Sequence, residues 1–351
     1  MKSIALGFVA GLCAFLLMAE LTFRLLPVSS ATRSDYHIDP LILTYAPHHP
    51  WRYATGWDLR NPQSLKTNGH GFVSDHEFIR NEQAIALIGD SFVEAASLDA
   101  SDRPAAQVQQ AIGNRRPVYA MGSAGTSLLD YAERIRYAHQ HFGVRDFIVL
   151  MERGDVVQAL CGSGNVASQC LERKTLAPRI ETAPTPSMAK VVLRESAFAQ
   201  YMVSQLKLEP AKLLRLMFTH SVPAEPGSKS EGTAGAAHRA SPAASARAMA
   251  EVDAVATEFF VRIKPHVAGQ LVIAVDSDRQ ALMARRLAAD PMRQRFIELA
   301  QAAGATVVDT ETLFAAHFSQ SSLSLDVGPY DGHLNPLGVR LVAAAVAKAL
   351  E

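Results

Sequence analysis

An excess of charge of either sign is what this sequence lacks: Lys plus Arg and Asp plus Glu both number 34 in 351 residues, so the formal net charge is zero. Without a global positive field the chain offers a polyanion no electrostatic footprint, and nucleic acid is not an expected partner. Cysteine is scarce, at three residues. No His/Cys pair at ligand spacing accompanies them, and the twelve histidines contain no H-E-x-x-H motif, which argues against a metal site. Also absent is a G-x-S-x-G elbow, which disfavours a lipase-type α/β-hydrolase. The stretch Gly162-Ser-Gly-Asn-Val-Ala167 imitates a dinucleotide fingerprint but lies well beyond any strand, so no cofactor is expected.

Charge is missing locally as well. From Ser3 to Ala19 there is no charged residue, with Lys2 before the run and Glu20 and Arg24 after it. As a helix extended through Thr22 this run spans roughly 30 Å, the thickness of a hydrocarbon layer. It reads as a cleaved signal or a transmembrane anchor. The chain continues Glu-Leu-Thr-Phe-Arg-Leu-Leu-Pro27 without a clear small-x-small cleavage pattern, which favours an uncleaved anchor over residues 1–26. With Lys2 in the cytoplasm, the rest of the chain is exported to the periplasm or exterior. Cys13 lies inside the span as an ordinary apolar residue. Cys161 and Cys170 flank a glycine-bearing loop able to close a disulfide in such a compartment, the alternative being two buried thiols.

What is present is α/β alternation. Residues 27–80, rich in Pro, His, Tyr and Trp, read as a stalk and irregular extension; the cluster Pro47-His-His-Pro-Trp-Arg52 serves either to pack loops or to stack on sugar. From residue 81 onward, strands are expected at 84–89, 117–121, 147–151, 270–275 and 306–308. Helices are expected at 104–112, 128–142, about 247–263, from Asp290-Pro291 to Gly304, and from Asn335-Pro336 to Leu350. Such alternation is the pattern of a parallel sheet covered on both faces. It lapses at an insertion over about 160–246. Within it an amphipathic stretch around 193–217 is placed to roof a crevice, and a Pro/Gly/Ala/Ser-rich flexible linker occupies about 223–246.

The chemistry centres on Ala84-Ile-Ala-Leu-Ile-Gly-Asp-Ser-Phe92, an apolar strand stopped by Gly89 that delivers Asp90 and Ser91 to the carboxyl edge of the sheet. Asp90 and Ser91 also suit a helix cap. The far end, Asp331-Gly-His-Leu-Asn-Pro-Leu-Gly338, places an acid and a histidine just ahead of a helix start.

Together these two blocks resemble the SGNH or GDSL-type hydrolases, whose fold is a three-layer α/β/α, flavodoxin-like parallel sheet. The resemblance implies Ser91 as nucleophile, His333 as its general base and Asp331 as the residue that orients the imidazole. Val118-Tyr-Ala-Met-Gly-Ser-Ala-Gly125 is similar to the family's second block, which makes Gly125 an oxyanion donor beside the Ser91 N–H and Gly122 a turn glycine. Glu152-Arg-Gly-Asp155 corresponds to the third block, where Gly154 stands in place of the usual asparagine donor. Either Arg153 substitutes for it or two backbone donors suffice. In most of the family the acid precedes the histidine by three residues, a position held here by Tyr330. The two-residue spacing resembles the subgroup that includes periplasmic polysaccharide O-acetyltransferases. The implied activity is an esterase acting on acyl groups of cell-envelope carbohydrate. Its rivals are an O-acyltransferase, fed by a separate acyl-donor membrane protein, and a silent carbohydrate-binding relative.

Overall fold

The computed structural model describes residues 2–74, 76–208 and 242–351. Its centre is a five-stranded parallel sheet of β5 (Ile85–Gly89), β6 (Val118–Gly122), β7 (Asp146–Met151), β10 (Leu271–Val275) and β11 (Thr306–Asp309), ordered β11-β10-β7-β5-β6. Every residue of β5 and of β10 is buried, as expected where helices cover both faces. Alternate residues divide between the two sides. Ala86, Ile88, Val149 and Ile273 pack with the helices Leu128–Phe142 and Pro242–Ile263. Ile85, Leu87, Ile148 and Val272 pack with the helices Pro104–Ala111 and Pro336–Ala349. The expected three-layer α/β/α arrangement and its flavodoxin-like strand order are both present. Because β5 is the first strand of the sheet and the chain leaves it to opposite sides for β6 and β7, the switch point lies at the carboxyl end of β5.

The helices begin and end where the local chemistry dictates. Asp290 caps Pro291–Ala302 by accepting from the Arg293 N–H at 3.0 Å, Asn335 caps Pro336–Ala349 by accepting from Gly338 at 2.9 Å, and Gly143 closes Leu128–Phe142 at φ +71°. The helix expected near residue 247 begins at Pro242, so the last part of the expected linker is helical; residues 209–241, which hold the remainder and the end of the amphipathic stretch, lie outside the described residues.

The segment expected to be irregular contains two antiparallel hairpins, β1 (Asp35–Asp39) with β2 (Ile42–Thr44) and β3 (Pro50–Thr55) with β4 (Arg60–Lys66). Their sequence signal is faint because β4 buries one residue, Leu65, and its pairing is carried by the backbone ladder. Trp51 is buried and packs edge-on to Tyr53 and tilted against Tyr45, so the aromatic cluster packs loops together.

Ser3–Leu25 forms a helix long and apolar enough to cross a membrane, with none of its most apolar window buried by the rest of the chain. Between β7 and β10, Cys161 and Cys170 are joined by a disulfide, and β8 (Gln169–Leu171) pairs antiparallel with β9 (Pro178–Ile180). There follow helix Met188–Glu195, the short helix Ala197–Gln200 and a π-helical turn Tyr201–Gln205. These form the roof of the crevice.

Candidate active site

At the end of β5 the chain turns so tightly that no side chain fits on either neighbouring strand end. A Cβ on Gly122 would lie 2.6 Å from the Glu94 N and 2.8 Å from the Asp90 carbonyl oxygen, and one on Gly89 would lie 2.7 Å from the Leu150 carbonyl oxygen. Gly122 is thus a close-packing glycine that lets β6 sit against the turn. Asp90 caps the helical turn Ser91–Glu94, accepting from the Phe92 N–H at 2.8 Å, so the capping role expected of this pair falls to Asp90 alone. Ser91 is left for chemistry.

Its hydroxyl lies 2.8 Å from His333 Nε2, and at 3.3 Å from Asp90 Oδ2. On the other side of the ring, His333 Nδ1 meets Asp331 Oδ1 in a short charge-assisted bond. The two-residue spacing is what makes this contact: Asp331 Oδ1 also accepts from the His333 backbone N–H at 2.9 Å, the side-chain-to-backbone turn that Asp favours two residues on. The structure brings this pair against Ser91, 242 residues away in sequence from His333.

Electrostatics follow from the same contacts. Burial pulls the His333 imidazole down, but the bond and charge of Asp331, helped by Asp90 and Glu94, outweigh it and hold the ring above its ordinary value. Burial pushes the Asp331 carboxyl up, and the partnership with His333 overcomes this to leave it below its ordinary value. The ring is therefore a stronger base than a free histidine and is held in the tautomer that accepts from Ser91.

Among the described residues, neither the Ser91 N–H nor the Gly125 N–H donates to a protein acceptor. Gly125 takes φ +79° in the loop after β6, against Asn165 and Val166 of the disulfide-closed loop. The third-block residues are otherwise engaged. Arg153 is paired with Asp278 at 2.7 Å and lines a separate small hollow with Val156 and Phe296, not the cavity over His333. The Gly154 N–H donates to the Glu152 carboxylate. Asp155 is fully buried, accepting from Tyr131 at 3.0 Å and from the Glu152 N–H at 2.8 Å; burial, with Asp90 and Glu152 nearby, pushes its carboxyl well above the usual range. It braces the loop from beneath.

Four supporting residues carry no sequence signal. Tyr53, from the N-terminal hairpin, sets its hydroxyl 3.5 Å from Asp331 Oδ2. Glu94 is buried below the loop after β6, where its Oε2 accepts from Tyr45 at 2.9 Å and from the Ala124 N–H at 3.1 Å. Arg134 is fully buried and donates to the Gly89 carbonyl at 2.6 Å and to Thr126 Oγ1 at 2.9 Å, tying the Ser91 turn to the loop after β6. Arg279 bridges Asp276 and Asp326, each at 2.5 Å, and donates to the Gly332 carbonyl, which fixes the histidine loop. Each acts across long sequence separations, and single-chain periodicity contains nothing of that kind.

Over Asp331 and His333 lies a cavity of about 1280 Å³, walled also by Tyr53, Trp57 and Tyr330 and roofed by Leu193 and Val203. The insertion expected to roof the crevice does so.

No protein-family model matches this sequence, and no curated protein matches it. Solved structures match at low identity and low TM-score. An acetyl xylan esterase from Geobacillus stearothermophilus is 13% identical over 78% of this chain and 96% of its own, with a TM-score of 0.39. A member of the lipolytic protein G-D-S-L family from Veillonella parvula is 10% identical over 76% and 96%, with a TM-score of 0.38. A carbohydrate acetylesterase family member from Sinorhizobium meliloti is 12% identical over 76% and 96%, with a TM-score of 0.33.

Proposed function

We propose that this chain, an α/β/α domain resembling the SGNH/GDSL hydrolases, is a serine esterase that removes acetyl or similar O-acyl groups from carbohydrate through an acyl-serine at Ser91. The observation that carries the reading is the unbroken relay from Ser91 Oγ to His333 Nε2 at 2.8 Å and from His333 Nδ1 to Asp331. In the reaction His333 takes the Ser91 proton as the oxygen attacks the ester carbonyl, and Asp331 stabilises the imidazolium so formed. The Ser91 and Gly125 N–H groups receive the oxyanion. His333 then returns its proton to the departing sugar oxygen, and in the second half activates water against the acyl-serine. This relay weighs against the silent-binder alternative. The apolar helix Ser3–Leu25 and the disulfide support an anchored, exported enzyme.

A second reading, O-acyl transfer to a sugar hydroxyl, is favoured by the roof over the cavity, because shielding an acyl-serine from water gives another acceptor time to attack. It requires acyl groups from a separate membrane protein or a soluble ester, so hydrolysis is the default. A fluorophosphonate probe should label the wild type and not Ser91→Ala; equal labelling of both would remove Ser91 from the mechanism. Supplying an acetyl ester with an oligosaccharide and following acetate and acetylated sugar by mass spectrometry separates the two outcomes. Acetylated sugar as the main product would replace hydrolysis by transfer.

A further inference from the structure

The roof of the cavity is fastened to the end of the apolar helix. Glu20 accepts from Ser196 Oγ at 2.7 Å and from the Ala197 and Phe198 N–H groups at 3.1 Å each, while Arg24 donates to the Glu195 carbonyl at 3.2 Å. Phe23 stacks on Tyr201 with ring centroids 4.5 Å apart. The Tyr201 hydroxyl donates to the Trp57 carbonyl at 2.8 Å, and the Trp57 indole N–H donates to Tyr330 at 2.8 Å, one residue from Asp331. Roof, cavity rim and helix end are thus one connected structure.

Glu20 and Arg24 are the first charges after the apolar run, so they mark the level at which an anchor meets water. Elements bonded to them sit at that level. Helix Met188–Glu195 has two faces there. Lys190, Leu193 and Arg194 line the cavity, whereas Met188, Val191 and Val192, at helical spacing on the other face, are exposed, Met188 at 77% and Val192 at 64%. Exposed apolar side chains at such spacing need a cover. Trp57 adds an indole exposed at 58% on the cavity rim, the kind of amphipathic ring that settles among lipid headgroups.

We propose that the Met188/Val191/Val192 face, with Trp57, rests on the bilayer surface beside the anchor, and that the cavity opens at that surface to take its ester from an amphiphile held in the membrane. The continuity of this face with the anchor's water-side end selects a lipid surface as its cover. The proposal rests on the anchor and esterase readings above, and its two tests separate it from them.

In the first, the full-length chain is reconstituted in phosphatidylcholine/phosphatidylglycerol vesicles whose acyl chains carry bromine, a short-range quencher of tryptophan. The sequence has two tryptophans, Trp51 buried and Trp57 exposed. Wild-type emission should be quenched and the quenching lost in Trp57→Phe; unquenched wild-type emission overturns the proposal whatever the enzyme's activity. In the second, the Met188→Glu/Val192→Glu chain is assayed on hexadecyl glucoside tetraacetate in vesicles and on methyl glucoside tetraacetate in solution. Expected is a loss of about tenfold or more in kcat/KM on the vesicle-borne ester with the soluble ester unaffected. Equal losses on both, or none, overturn it. If the wild type cleaves neither acetate, the esterase reading fails and the quenching result alone decides the docking.

Discussion

Glu94 gives the pH dependence of stability a specific source. Burial pushes its carboxyl up to about 7 against an ordinary 4.5, more than its bonds from Tyr45 and the Ala124 N–H pull it down. The sign follows from proton binding: between pH 4.5 and 7 the folded protein holds a proton on Glu94 that the unfolded chain has released, so stability is full below 4.5 and is lost as pH rises toward 7. At about 1.4 kcal/mol per pH unit, that window amounts to on the order of 3 kcal/mol. Glu94→Gln keeps an acceptor for Tyr45 and Ala124 but cannot ionise. Urea unfolding at half-unit steps from pH 4 to 8 should therefore show the wild type losing this increment relative to the variant, with the two curves parallel above about pH 7. Parallel curves throughout would refute the assignment of the proton to Glu94.

Asp331→Asn should lower kcat by about 10³–10⁴ through loss of the orienting charge, and should move the acidic limb of the kcat/KM profile to lower pH. His333 must be neutral to act as base, so the wild-type limb lies above its ordinary value, and without Asp331 burial pulls it down; an unmoved limb would mean another group titrates. Arg134→Met keeps the volume but removes the charged donor from Thr126 Oγ1 and from the Gly89 carbonyl, which retains the longer 3.3 Å bond from the Ser123 N–H, so unfolding by urea should show a loss of about 3–5 kcal/mol, and a loss below about 1 would show the guanidinium to be dispensable. Arg153→Ala should fall well short of the about 10²–10³ loss in kcat that accompanies a missing oxyanion donor, since its guanidinium belongs to Asp278; a full loss of that size in steady-state assays would return Arg153 to the oxyanion hole.

The sheet was legible because strands buried on both faces write themselves as unbroken apolar runs, and Asp290-Pro291 and Asn335-Pro336 announce helix starts with caps whose chemistry is local. Ser91 and His333 were legible for a related reason, being fixed to a strand end and a helix start. The N-terminal hairpins were not, since β4 buries only Leu65 and leaves no alternation to read. Nor was the engagement of Arg153, because Asp278 lies across the sheet edge and pairing between distant residues leaves no period. Arg134 shows the same limit inside a correctly expected helix: a cation on the buried side of Leu128–Phe142 makes sense only once the carbonyl it holds is in place.

The turn that joins Asp331 to His333 also changes how the triad can fail. Because one carboxylate oxygen grips both the ring and the main chain of His333, acid and base travel as a single hinged unit rather than as two side chains on independent elements. Thermal motion then has one joint to misalign, between the 331–333 turn and the Ser91 turn, instead of two. Tyr53 and Arg279 grip that unit from outside, through Asp331 Oδ2 and the Gly332 carbonyl. Directed variation of substrate preference can therefore rework the cavity walls around it without retuning the proton relay, so long as those two grips are left alone.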